Sequence, residues 1–222
     1  DLSDAIKASK TNGTTSIVIA PEITGEAKKV SVDIPKSSFA SVASETSASL
    51  TVEMPVGSVT IPNDALASLA SGASGDTVTV GLETVDKAAL TEEQQKAVEE
   101  NPVFDISITS GGKNITSFDG KSITISLPYT LKDGESTEGV TVWYLNDDGK
   151  LERMNCDYDK TTGLASFTAM HLSKYVVGYE ATWANPFTDV KSDDWFYEDV
   201  KFAVKNGLFT GTTDTTFSPG QS

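Results

Sequence analysis

The chain has 222 residues, enough for one large domain or two small ones with their own cores, and 38% of them are apolar. Its formal net charge of −15, from 32 acidic and 17 basic side chains, repels nucleic acid and anionic membrane, and no basic cluster offsets it. No apolar run approaches the roughly 20 residues needed to cross a bilayer. Asp1 opens directly into polar sequence, so any export signal is expected to lie outside these residues.

From the N-terminus onward most segments alternate apolar and polar residues with period two, the pattern of half-buried strands. Ser16–Ile19, Ser49–Val52 and Thr77–Val80 are the first of these. Interleaved with them is an internal repeat: Val32–Val42 (VDIPKSSFASV) matches Val59–Leu69 (VTIPNDALASL). Each copy reads as a strand ended by proline and followed by a short helix with an apolar face, since the fixed φ of proline suits a first helical turn. Two copies are too few for a solenoid, so a strand–helix–strand unit used twice in one domain is expected.

Thr91-Glu92-Glu93-Gln94 has the form of a capping box, opening a helix that runs to about Glu100 and stops before Pro102. Further strands are expected at Asp105–Ile108, Ser122–Leu127, Val140–Tyr144 and Tyr175–Tyr179, separated by turns at Asp119-Gly120, Asp133-Gly134, Asp148-Gly149 and Thr162-Gly163. Asn146–Lys150 resembles the opening of a calcium loop but lacks the later ligand spacing, so it reads as a hairpin turn. Cys156 has no cysteine partner and reads as a packed or edge thiol. Residues 1–182 are thus expected to be mainly β and sandwich-like with short helices. They form either one composite unit or two apposed lobes, 1–91 and 92–182.

The character changes after Glu180. Trp183-Ala184-Asn185-Pro186 reads as a linker, and 183–222 as a small, incomplete helical segment. Asp193 or Asp194 is expected to cap a helix whose apolar contacts come from Trp195, Tyr197, Val200, Phe202, Ala203 and Val204, with Gly207 at its C-terminal end. Phe187-Thr188-Asp189-Val190, Trp195, Val200, Ala203, Gly207-Leu208, Gly211 and Phe217-Ser218-Pro219 together resemble the S-layer homology (SLH) family. The resemblance covers about the last 36 residues. It implies a helical bundle, usually built from three repeats, that binds secondary cell-wall polysaccharide. It also implies a ligand-facing or structural role for Trp195. In the family an arginine-containing motif follows the Ser-Pro segment and grips the ligand; the sequence stops at Ser222 before it, so weak wall binding is expected of this stretch alone.

A second motif lies at Met170-His171-Leu172-Ser173, ahead of an aromatic strand. It resembles the self-cleavage site of ZU5-type and GAIN-type domains. That resemblance implies His171 as base, Ser173 as nucleophile and Leu172–Ser173 as the bond cleaved through an ester intermediate. The competing reading is a histidine held within the sheet.

Other chemistry finds little support. A single histidine argues against a zinc site, no Gly-x-Ser-x-Gly elbow or phosphate loop occurs, and no cofactor is called for. The Asn12 and Asn114 glycosylation sequons have little meaning in a bacterial host. The sequence therefore points to a non-catalytic, extracellular cell-wall or S-layer module of a Gram-positive type. Its partners would be wall polysaccharide, through complete SLH domains, and other S-layer proteins. The alternatives are the self-processing module and an adhesin that binds carbohydrate or protein; a row of exposed aromatics on one sheet face would favour the latter.

Overall fold

A computed structural model describes residues 2–220 except 26, 117, 182 and 206. The chain divides into two compact units, Asp1–Glu180 and Ala181–Ser222. The first contains α1 (Ser3–Asn12), β1 (Ser16–Ile19), β2 (Lys29–Pro35), α2 (Lys36–Glu45), β3 (Ser49–Met54), β4 (Gly57–Ile61), α3 (Asn63–Gly72) and β5 (Thr77–Thr84). It continues through α4 (Glu92–Val98), β6 (Val103–Ser110), β7 (Lys113–Asn114), β8 (Ile123–Pro128), β9 (Val140–Leu145), β10 (Leu151–Met154), β11 (Cys156–Asp159), β12 (Leu164–Ala169) and β13 (Lys174–Tyr179). The second unit contains α5 (Tyr197–Lys205).

The strands form two sheets, ordered β1-β3-β4-β8-β12-β11 and β10-β9-β13-β6-β5-β2, with β7 paired to β6. Period-two patterning puts Leu50 and Val52 of β3, Ile123, Ile125 and Leu127 of β8, and Val78, Val80 and Leu82 of β5 into one core between the sheets. Both sheets draw strands from before and after α4, and one core runs through both. The halves 1–91 and 92–182 are therefore not separate lobes. The first unit is a mainly β sandwich with short helices, and the second is small and helical.

The repeat explains how the chain crosses between sheets. Its first copy runs β2–α2–β3, leaving the second sheet for the first; its second copy runs β4–α3–β5 in the reverse direction. Strands of one copy pair with strands of the other in matching register: Ile34 faces Val78 as Ile61 faces Leu50, and Val32 faces Val80 as Val59 faces Val52. The two helices pack on each other through the core residues Phe39, Val42, Leu66 and Leu69. Each also caps the other. Lys36, the first residue of α2, donates to the carbonyl of Ala73 at the end of α3 (2.8 Å), while Asn63, the first residue of α3, donates to Thr46 at the end of α2 (3.0 Å). Asn63 additionally reaches the carbonyls of Val42, which also accepts from the Thr46 N–H and hydroxyl, and of Ala48 ahead of β3 (both 3.2 Å), so one amide ties the end of α2 to the start of the next strand. The duplicated segment is thus an internal pseudo-dimer with an approximate two-fold axis between α2 and α3.

On the outer face of the second sheet, Leu90 just ahead of α4 and Val98 at its end cover Val103, Leu145 and Val176. This cover explains why β13 is buried on both faces from Tyr175 to Gly178. The capping box forms as expected: Thr91 Oγ1 accepts the Gln94 N–H and Gln94 Oε1 accepts the Thr91 N–H, both at 3.2 Å. Gln94 Nε2 also donates to the Asn146 carbonyl (3.0 Å). The Asn146–Lys150 turn closes the β9–β10 hairpin, and a Cβ on Gly149 would lie 2.8 Å from the backbone of Glu93. The turn is therefore a docking platform for α4. The helix stops at Val98 rather than Glu100 because Glu99 adopts φ 51°, a left-handed exit, with Lys87 Nζ donating to its carbonyl. Trp143 and Tyr144 point to opposite faces, Trp143 toward the α4 cluster and Tyr144 toward the main core.

Candidate functional site

In the second unit the recognisable residues converge. Asp189 is the centre: its carboxylate accepts the N–H groups of Phe217 (2.9 Å) and Ser218 (2.7 Å), pinning the C-terminal segment to the Phe-Thr-Asp-Val turn. The Phe217 N–H is the principal cause that holds the Asp189 carboxyl below its ordinary value, and the Ser218 N–H adds to it. Asn185 braces the same turn, accepting the Phe187 N–H (3.0 Å) and donating to the Val190 carbonyl. Phe187, Val190 and Val200 form a small core, with the Phe187 and Phe217 rings 5.2 Å apart. Gly211 is fixed by crowding, because a Cβ there would stand 2.4 Å from the Phe187 ring and 2.5 Å from the Thr213 carbonyl.

Helix α5 ends in a Schellman arrangement, with Leu208 N–H on the Ala203 carbonyl (2.8 Å), Gly207 N–H on Val204 (3.0 Å) and Gly207 at φ 64°. Its start differs from expectation. The helix begins at Tyr197, and the Asp194 carboxylate accepts the Lys191 N–H (2.7 Å), closing the preceding turn instead of capping the helix. Trp195 lies in that turn and is 89% exposed, touching Phe196 edge-on with ring centres 5.4 Å apart. Phe202 is 62% exposed. Neither belongs to the small core of this unit. Trp183, expected as linker, packs against it instead, its ring edge-on to Tyr197 (5.5 Å) and tilted on Phe187 (6.3 Å); the Tyr197 contact joins residues 14 apart, beyond any local periodicity.

In the first unit, His171, Leu172 and Ser173 lie between β12 and β13. The exposed His171 ring packs edge-to-face on Tyr144 with centres 4.8 Å apart, and its carbonyl accepts the buried Tyr175 hydroxyl (2.7 Å). Burial pushes the Tyr175 phenol pKa upward. The Ser173 carbonyl accepts the Ile106 N–H (3.2 Å). Among the described residues no hydrogen bond joins the His171 imidazole to Ser173, and none of residues 171–173 has a positive φ. Cys156 is half-buried on the edge strand β11 and its thiol donates to the Val140 carbonyl (3.5 Å); burial raises its pKa, which disfavours thiolate chemistry.

Among the described residues the outer face of the first sheet carries ranks of hydroxyls and no row of aromatics. Thr51, Thr60, Thr124 and Thr168 stand in one register line across β3, β4, β8 and β12, with Thr51 and Thr60 hydroxyls 2.9 Å apart. Among the described residues no group of three or more His, Cys, Asp or Glu is arranged to hold a metal, and no helix is long and apolar enough to cross a membrane.

The second unit is a small motif-built module in which a carboxylate clamp ties an N-terminal turn to a C-terminal one. Its residues 186–222 match the family model of the S-layer homology domain. The chain therefore carries a cell-surface, S-layer-type anchoring module near its C-terminus. A comparison with curated proteins gives no significant match.

Proposed function

We propose that the chain is a non-catalytic, secreted piece of a Gram-positive surface protein, in which the β sandwich is a spacer carried on an anchor that binds secondary cell-wall polysaccharide. The SLH match with its intact Asp189 clamp carries this reading. Trp195, at 89% the most exposed aromatic ring of the second unit among the described residues, offers a face to a sugar, since apolar ring faces stack on pyranose C–H groups. The acidic sandwich suits a solvated spacer: its buried surface lies between the sheets and under α4, and its hydroxyl-bearing outer face stays wet.

The test uses antibodies raised against the sandwich on intact source cells. Labelling of the surface, with the antigen released when secondary polysaccharide is extracted from the walls, is the expected result. Antigen confined to the cytosol, or retained on fully extracted walls, would overturn the reading.

A further inference from the structure

The internal pseudo-dimer is incomplete in one place. Its two-fold axis relates β4 to β2, and β4 is covered on its far side by β8, with Ser58 facing Ser126 and Thr60 facing Thr124 in antiparallel register. The corresponding position beside β2 holds no strand among the described residues, and β2 ends the second sheet. Register settles which backbone groups are open there. Lys28 accepts from Thr84 (2.7 Å) and Lys36 donates to Asp76 (2.8 Å), so the even-numbered residues of β2 face β5. Lys29, Ser31 and Asp33 consequently turn their N–H and C=O groups outward, and all three are exposed. Pro35 faces the same way, where its missing N–H costs no ladder bond.

We infer that β2 is a self-association edge on which β2 of a second copy adds antiparallel, centred on Ser31. Pairing about that point sets Ser31 opposite Ser31 of the other copy and Lys29 opposite Asp33 twice over, with Val30 opposite Val32. Charges on an edge ordinarily discourage strand addition. Within the chain Lys29 pairs with Glu83 (2.6 Å) and Asp33 accepts the Thr79 hydroxyl (2.5 Å); their alternation along β2 lets a second copy add an opposite charge beside each, and opposite charges directly across a strand pair stabilise it. The segment 28–36 holds three lysines and one aspartate in a chain of net charge −15, so two copies meet where their mutual repulsion is least. The pairing is isologous and closes as a dimer, with the second sheet running continuously through both copies.

Sedimentation velocity of the full chain over a concentration series tests this. A reversible dimer is expected. Ser31→Pro removes the two central N–H donors while sparing the β5 ladder, and should raise the dimer dissociation constant at least about tenfold. Asp33→Lys and Lys29→Asp should each abolish self-association alone and regain it when mixed, because both ion pairs re-form across the axis; a folding defect in either could not produce that rescue. In a Cys156→Ser background, Ser31→Cys should yield disulfide-linked dimers on mild oxidation. A chain that stays monomeric to about millimolar concentration, or a dimer indifferent to Ser31→Pro, would overturn the inference.

Discussion

The two units hold themselves together in opposite ways. The sandwich spreads its stability over dozens of buried aliphatic side chains from Ile17 to Val177, none of which has a unique partner. The C-terminal unit has only three buried apolar residues among those described, Phe187, Val190 and Val200, and relies on single irreplaceable contacts such as the Asp189 clamp and the bare Cα of Gly211. A distributed core tolerates exchange of one aliphatic residue for another as long as volume and pattern persist. A small core made of specific contacts does not. That difference accords with the family match falling on residues 186–222, where single residues are fixed by their contacts.

The sharpest way to break the comparison is Gly211→Ala. A methyl group in a sandwich core is usually accommodated at a cost of about 1–3 kcal/mol. At Gly211 it would meet a ring carbon and two carbonyl oxygens within 2.6 Å, so the second unit should lose its fold. Loss of the Trp183 and Tyr197 near-ultraviolet signal, with far-ultraviolet strand content retained, is the expected signature. A second unit that keeps its native tryptophan environment would show that its contacts are as forgiving as those of the sandwich.

Within the sandwich, the two helix caps of the pseudo-dimer give a graded pair. Asn63→Ala removes the amide donor shared by the Val42, Thr46 and Ala48 carbonyls, of which Val42 keeps its bonds from Thr46, and should destabilise by about 1–3 kcal/mol, whereas Lys36→Ala removes one bond and should cost about 0.5–1.5 kcal/mol. Urea unfolding of both variants measures the ratio. Equal losses would mean that the approximate symmetry extends to energetics; the geometry predicts that it does not.

Much of this was legible in sequence, and the failures have physical causes. Strands such as Ile123–Leu127 and the Thr91–Gln94 cap follow from local periodicity and local hydrogen bonds, so they are found where expected. The repeat was visible as strand plus helix, but the exchange of its copies between sheets depends on which distant strand each pairs with, and no local pattern encodes that. Phe118, 1% exposed in a loop with no periodicity around it, could not be assigned to the core. In the second unit the motif was legible while its roles were not. Trp195 and Phe202 look like core on a helical wheel, yet Trp195 precedes the helix and Phe202 faces outward; the buried ring is Trp183, read as linker.

Acid distinguishes the units more gently. Asp189 has a depressed native pKa, so the stability it lends is present in full above its ordinary value of 3.8 and drains away as pH falls through the lower native value. Asp105, on the sandwich, has the opposite sign: burial raises its pKa, opposed by Lys174 and reinforced by Glu83, so protonation in acid relieves it. Glu45, Glu138 and Asp159 of the sandwich are shifted the same way as Asp189 by hydrogen bonds, so acid weakens both units; with its small core resting on one carboxylate clamp, the second should unfold first below about pH 4, the ordinary carboxylate range. Asp189→Asn should flatten that dependence while lowering stability at neutral pH, since one amide oxygen replaces two carboxylate acceptors. Thermal melts followed by tryptophan fluorescence between acid and neutral pH measure this.

The smallest expected effect is at Ser173, where the prediction is no change in covalent structure. An N-to-O acyl shift needs a hydroxyl activated by its base and a peptide held away from its relaxed geometry. The His171 ring is instead packed against Tyr144, its carbonyl is tied to Tyr175, and the Ser173 carbonyl continues the β6 hydrogen bonding through Ile106. These contacts make the segment the rigid lead-in to the central strand β13. Intact mass under denaturing conditions should show one full-length species after prolonged neutral incubation, unaffected by hydroxylamine and identical in Ser173→Ala. Two fragments meeting at Leu172–Ser173 would mean that the contacts seen here hold a resting state from which the hydroxyl escapes, and the sandwich would then be an autoprocessing device rather than a spacer. Because the Tyr175 hydroxyl ties down the His171 carbonyl (2.7 Å), Tyr175→Phe is the variant chosen to release such a latent reaction. The absence of fragments in that variant as well would tie the histidine to packing alone.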